Sequence, residues 1–223
     1  MPIPNRMLFH FFACSMAWPD NPPIQIEAFD LGIEFPNETF PSDPKPPKSQ
    51  WVHGNVTMNN IMIGDHSPLA DEHILTPILK LIDFGALRID PNTNNDDAGT
   101  KQNIYDMGRI MRILITQDDE WDPAPDDVTM SIAGTNKTFQ TAAAVLIPDA
   151  DFLNIDADLR RLVMRCQAVN AADRPTLEQL GGELVQHMTI KTEDYYKSNN
   201  LITWRLETTS SINEMINELI YYA

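Results

Sequence analysis

Glycine is scarce in this chain, nine residues in 223, and no three of them fall at the G-x-G-x-x-G spacing. That excludes a glycine-rich loop of the kind whose backbone cradles nucleotide phosphates. Cysteine is scarcer still. Cys14 and Cys166 are the only two, both within apolar segments of helical period, so a disulfide framework is excluded and free core thiols are expected. Basic residues are half as numerous as acidic ones, 16 against 32, for a net charge of −16. A surface of that sign repels phosphate backbones and anionic lipid, so neither nucleic acid nor membrane is expected as a partner. Leu8 to Ala17 is apolar but short and interrupted by His10, well under the roughly 20 residues that span a bilayer. A cytoplasmic or nucleocytoplasmic location is the expectation.

Apolar residues make up 43% of the chain, enough for one sizeable core. Composition and proline punctuation divide the sequence into four parts: a buried N-terminal helix (1–18), a proline-rich insertion (19–50), a core region (51–187), and a C-terminal extension ending in an amphipathic helix (188–223). Arg6 to Trp18 is apolar nearly all round, which suits deep burial. The 19–50 stretch carries Pro22-Pro23 and Pro44-Lys45-Pro46-Pro47, too much proline for a helix or a central strand. Its scattered Ile24, Ile26, Phe29, Leu31, Phe35 and Phe40 are expected to tack it onto the core.

Asn60 to Ile63 and Ile78 to Ile82 read as two short strands of one hairpin. Ile104, Met107, Ile110, Met111 and Leu114 recur at three- and four-residue spacing, a buried helix face. Residues 117–150 mix Asp, Pro and Gly, with a short helix expected around Phe139 to Leu146. Leu159, Leu162, Val163 and Cys166 mark another helix, and Pro175 in a first turn opens one through Leu177, Leu180 and Leu184. Ser211 and Glu214 fit a capping box for a last helix striped by Ile212, Met215, Ile216, Leu219 and Ile220. The expected class is therefore mainly α with a small β-hairpin.

Chemistry concentrates in His53-Gly54-Asn55-Val56-Thr57-Met58-Asn59-Asn60 and, one loop later, Leu81-Ile82-Asp83-Phe84-Gly85. With Asn103-Ile104-Tyr105-Asp106 and Arg174-Pro175-Thr176, these segments resemble, in order, the catalytic loop, the metal-binding DFG turn, the central-helix start and a late segment of the protein kinase large lobe. The style is similar to divergent fungal protein kinase-like proteins. The resemblance covers roughly residues 51 to 187 and implies a C-terminal lobe that lacks the N-terminal one, since neither a glycine-rich loop nor a small-lobe lysine segment is present. Arg6 to Trp18 would then be the buried helix preceding the catalytic loop.

By the same resemblance, Asp83 and Asn60 would hold Mg²⁺ and, through it, ATP, weakly or not at all in this chain alone. His53 would support the loop, Phe84 and Gly85 would shape the turn, and Asn103 would stand where the family usually has Asp. Asn55 stands at the catalytic aspartate position. A carboxamide is not a base in water and presents two donors, so this replacement alone removes about 10²- to 10⁴-fold of rate. Gly54 and Thr57 replace an arginine that grips an activation-loop phosphate and a lysine aimed at the transferring phosphate. Arg174 would lack the glutamate it usually meets, and Asp96 or Asp97 is expected to fold back to it.

Three functions remain in view. The first is a catalytically impaired, pseudokinase-like module that acts by binding, with a protein partner covering the open cleft. The second is a residual ATP-dependent Ser/Thr kinase completed by a small lobe. The third is a small-molecule phosphotransferase of the aminoglycoside or choline kinase sort. Ile61, Ile63 and Ile82, which a small lobe would cover, are expected to form an exposed apolar patch.

Overall fold

The computed structural model describes residues 2–16, 50–64, 75–77, 79–89, 97–119, 122–147, 151–199 and 203–221. The proline-rich 19–50 insertion, apart from Gln50, lies outside them, as do His66, His73 and most of the long loop between the two motif strands. The described chain is mainly helical, with small antiparallel sheets of two strands each. No helix among the described residues is long and apolar enough to cross a membrane.

Helix α1 (Asn5–Met16) is the buried rod its composition demands. Leu8, Phe9 and Phe12 are at most 1% exposed, each burial worth about 1.5–3 kcal/mol. Strand β1 (Trp51–Val52) follows, then β2 (Ile61–Ile63) and β3 (Leu79–Leu81), which pair with Ile61 opposite Leu81 and Met62 opposite Lys80. Strand β4 (Arg88–Ile89) returns to β1, placing Trp51 opposite Ile89.

The long helix α2 (Ala98–Thr116) turns Ile104, Met107, Ile110 and Met111 into the core, as their spacing requires. It begins five residues before Asn103, so Asn103 sits in its second turn rather than at its start. Gly99 accounts for the extra turn: a Cβ there would collide with the backbone of Gln50 and Trp51, so only glycine lets the helix lie against β1.

The stretch 117–150 holds no helix at Phe139. Strands β5 (Asp126–Ile132) and β6 (Thr135–Thr141) form a hairpin closed by Ala133 and Gly134, both at positive φ. Positive φ at both central residues is the geometry that matches strand twist in a two-residue turn. Only Val128 and Phe139 of the pair are well buried along its length, with Thr141 at its base, so the apolar period that identifies a strand is too sparse to see. A single 3₁₀ turn at Ala144–Leu146 is all that remains of the expected helix.

Helix α3 (Ala157–Cys166) buries Leu159, Leu162, Val163 and Cys166. Helix α4 (Leu177–Ile190) is capped by a reciprocal box between Thr176 and Gln179, so Pro175 precedes the cap instead of occupying the first turn. It also runs across the expected boundary at residue 187. Helix α5 (Glu193–Ser198) and helix α6 (Thr209–Tyr221) complete the fold. Thr208, not Ser211, caps α6, accepting from the Ser211 backbone at 3.1 Å. Ile212 and Ile216 pack with Met7 and Leu75, whereas Leu219 is 52% exposed and lies off the expected stripe. Neither cysteine is in a disulfide; Cys166 is fully buried, and burial pushes its thiol up to about 12.

Candidate functional site

The turn before β2 and the turn after β3 are brought side by side by the β2–β3 pairing, and the Ile82 backbone extends it by donating to the Asn60 carbonyl at 2.9 Å. The two motifs, more than twenty residues apart in sequence, thereby share one site. Asn55 Nδ2 donates to Asp83 Oδ2 at 2.9 Å. Asp83 adopts a left-handed backbone, φ 63° and ψ 69°, and its Oδ1 accepts from the Gly85 nitrogen at 3.2 Å. A short polar side chain that bonds locally is what makes that conformation tolerable outside glycine. Asn60 Nδ2 donates to the Asn55 carbonyl at 2.9 Å, closing the loop on itself.

His53 supports this arrangement from beneath. It is 4% exposed, its Nδ1 accepts from the Asn55 nitrogen at 3.3 Å, and its ring lies 4.7 Å from that of Phe84. Accepting at Nδ1 places the proton of the neutral ring on Nε2, which is buried without a hydrogen bond of good geometry. Burial lowers the histidine pKa, against the Ile82 backbone and the Asp83 charge, which favour the protonated ring. The strand below is tied to α2 by Asn103, whose Oδ1 accepts from the His53 nitrogen at 3.0 Å and whose Nδ2 donates to the Trp51 carbonyl at 3.0 Å. An amide serves both partners because it is donor and acceptor at once; a carboxylate would serve only the first.

Gly54 has φ 78°, and a Cβ at that position would collide with the Arg88 guanidinium and the Ala86 carbonyl. Glycine here is a steric requirement. Arg88 covers the loop, a role that sequence reasoning did not give it; the signal was the Leu87, Ile89 alternation that makes its segment a strand.

Arg174 does not meet Asp97, the one expected aspartate among the described residues. Asp96 lies outside the described residues, and Arg174 instead donates to three carbonyls, Ala168 at 2.8 Å, Lys101 at 3.0 Å and Val169 at 3.1 Å, with its guanidinium 4.6 Å from the Tyr105 ring centre. Backbone acceptors and an aromatic face offset the burial that a carboxylate partner was expected to offset.

The arrangement is a poor base and a thin metal site. Each oxygen of Asp83 already accepts a hydrogen bond, and Asn55 has no basic atom. Among the described residues no group of three or more His, Cys, Asp or Glu side chains could hold a metal ion; His187 lies instead against Phe9, ring centres 5.3 Å apart. Asp83 and the Asn60 amide oxygen offer one carboxylate and one neutral donor, a set that suits Mg²⁺ only when phosphates and water complete it.

Around the site the surface is apolar. Ile63 is 56% exposed and Ile82 37%, joined by Met62, Phe84, Leu87, Ile89 and Trp51 at 44–54%, whereas Ile61 is half-buried against the core. The expected patch is present, shifted toward β4. Compared with protein-family models, with curated proteins and with solved structures, the chain matches none.

Proposed function

We propose that this chain is a kinase-like large lobe whose catalytic site has become a binding site, a pseudokinase-type module that engages a protein partner across its open face. The observation that carries the reading is the Asn55 to Asp83 hydrogen bond. In the family this segment resembles, the loop carboxylate would face the attacking hydroxyl and the turn carboxylate would face the metal. Here the first is an amide and it occupies the second. Supporting it are the side-by-side loop and turn, the His53 and Phe84 contact beneath them, and the Asn103 tether to α2.

Asp83 and Asn60 are the residues that would hold Mg²⁺ with ATP. Bound there, the ion would neutralise phosphate charge. A cation that took the Oδ2 lone pair now facing Asn55 would displace that amide, at the cost of a charge-assisted hydrogen bond of about 1.5–3 kcal/mol. Weak nucleotide binding without transfer is the expected behaviour.

The test pairs thermal shift in ATP and Mg²⁺ with a radiolabelled phosphate-transfer assay on the parent chain and on Asp83→Ala. A small shift lost in Asp83→Ala, with no transfer in either, is expected. Phosphate transfer by the parent that Asp83→Ala abolishes would overturn the reading in favour of a residual kinase.

A further inference from the structure

The chain carries twice as many acids as bases, and its cations are accordingly taken. Among the described residues, Arg109 and Arg112 meet Asp122, Lys137 meets Asp173, Arg161 meets Asp158, Arg165 meets Glu183 and Lys191 meets Asp156. Arg6, Lys101, Arg160 and Arg174 donate to backbone carbonyls, and Lys197 and Arg205 lie over Trp204. Lys80 and Arg88 are the two described cations whose side chains make no hydrogen bond, ion pair or ring contact with the other described residues. Both are exposed, and Arg88 only senses the charge of Asp106 through space.

Both also sit within the apolar face. Pleating puts Met62, Lys80 and Ile82 on one side of the β2–β3 ribbon, opposite the side that packs Ile61 and Leu81 on the core. Phe84 and Leu87 continue the surface through a 3₁₀ turn to Arg88 and Ile89, and Ile89 lies across from Trp51. In a protein of net charge −16, two cations with no partner among the described residues, in a run of exposed large apolar side chains whose one described carboxylate, Asp83, is already hydrogen-bonded to Asn55 and Gly85, are the wrong composition for a solvated face. They are the right one for a partner that is both apolar and acidic.

We infer that this face docks an acidic polypeptide segment in which carboxylates alternate with aliphatic or aromatic residues, the carboxylates meeting Lys80 and Arg88. This names the chemistry of the partner in the function proposed above and rests on that reading. An extended segment suits the geometry, since alternate side chains of a strand point the same way and would set apolar groups on Met62, Ile82 and Leu87 together.

The test is fluorescence anisotropy with a short labelled peptide in which glutamate alternates with isoleucine and phenylalanine, beside a lysine version and a serine version. The glutamate peptide should bind and weaken as salt is raised, the serine peptide should bind less, and the lysine peptide not at all. Lys80→Glu with Arg88→Glu should weaken the glutamate peptide about tenfold and favour the lysine peptide. Equal binding of all three peptides, or none by any, overturns the inference, and because that comparison uses the parent chain it stands even where the charge reversals do not fold. The thermal shift of the parent chain with ATP and Mg²⁺ is measured beside it, as a separate readout of the proposed function. Loss of peptide binding with the nucleotide shift intact therefore sinks this inference alone, and the reverse outcome sinks only the nucleotide half of the proposed function.

Discussion

Asn5 donates twice to one carboxylate oxygen of Glu207, from its backbone at 2.8 Å and from its side-chain amide at 2.9 Å, across 202 positions of sequence. The other oxygen accepts from the Arg6 backbone at 3.0 Å. The first amides of α1 are thus capped by a distant carboxylate, where the helix dipole also favours negative charge. Glu207 is 1% exposed. Glu207→Ala would bury three donors without an acceptor, a loss of about 3 kcal/mol, or about 6–12 °C in Tm for a domain of this size. Differential scanning calorimetry checks it; a drop under 2 °C would mean that water replaces the carboxylate.

Lys191 Nζ lies 2.6 Å from both oxygens of Asp156, each side chain about 5% exposed, with the Tyr196 hydroxyl donating to Asp156 at 3.1 Å. Lys191→Met leaves a buried carboxylate without its cation, expected to cost about 3–5 kcal/mol. Lys191→Met combined with Asp156→Asn should cost less than Lys191→Met alone. Urea denaturation of the two variants measures the coupling, and additive losses would show that the two groups act separately.

Burial raises the Asp106 pKa to about 6, against the Gln102 hydrogen bond and the charges of Arg174, Arg88 and Arg109. The folded chain then holds a proton that the unfolded chain releases near pH 4. Stability from this group is present below about pH 4 and is lost as pH rises to about 6, by roughly 2–3 kcal/mol at most. Asp106→Asn should remove that slope. Parallel unfolding curves between pH 4 and 7 for parent and variant decide it, and identical slopes would refute the assignment.

Asn55→Asp would replace the hydrogen bond to Asp83 with two carboxylates in contact. Without cations the variant should melt below the parent by about 1 kcal/mol or more, through like-charge repulsion. Mg²⁺ titration should then stabilise it more than the parent, because two carboxylates bind the ion better than one. A parent and variant that respond alike to Mg²⁺ would place these side chains outside any metal site.

Gly54→Ala should destabilise by at least about 2 kcal/mol. Left-handed backbone costs an L-residue about 1–2 kcal/mol, and the added methyl meets the Ala86 carbonyl, which cannot swing aside as the Arg88 side chain can. Circular dichroism melting checks the figure.

Much of this was written in the sequence where apolar spacing was dense. The face of α2, the burial of α1 and the β2–β3 pair each follow from residues three, four or two apart. The approach of the two motif segments was also legible, because they flank strands expected to pair, but the hydrogen bond between Asn55 and Asp83 was not. What sequence hid was long-range or sparse. Val128 and Phe139 are too few to announce a hairpin, no local pattern points Glu207 at Asn5, and Arg174 was assigned a carboxylate although carbonyls of its own neighbourhood satisfy it. The positive φ at Ala133 could not be read at all, since alanine is not a residue that advertises it.

The burial of α1 has a consequence for synthesis. Its greasiest side chains leave the ribosome ahead of the elements that bury them, and some of the groups that cover and cap them, along α4, at Glu207 and on α6, emerge well over a hundred residues later. Translation at about 5–20 residues per second leaves that helix without these later partners for roughly ten seconds or more, although β3 and α2 reach it sooner. The segment Leu8 to Ala13 is therefore incompletely covered until α6 has been made, and Glu207 is among the last groups to close over its helix.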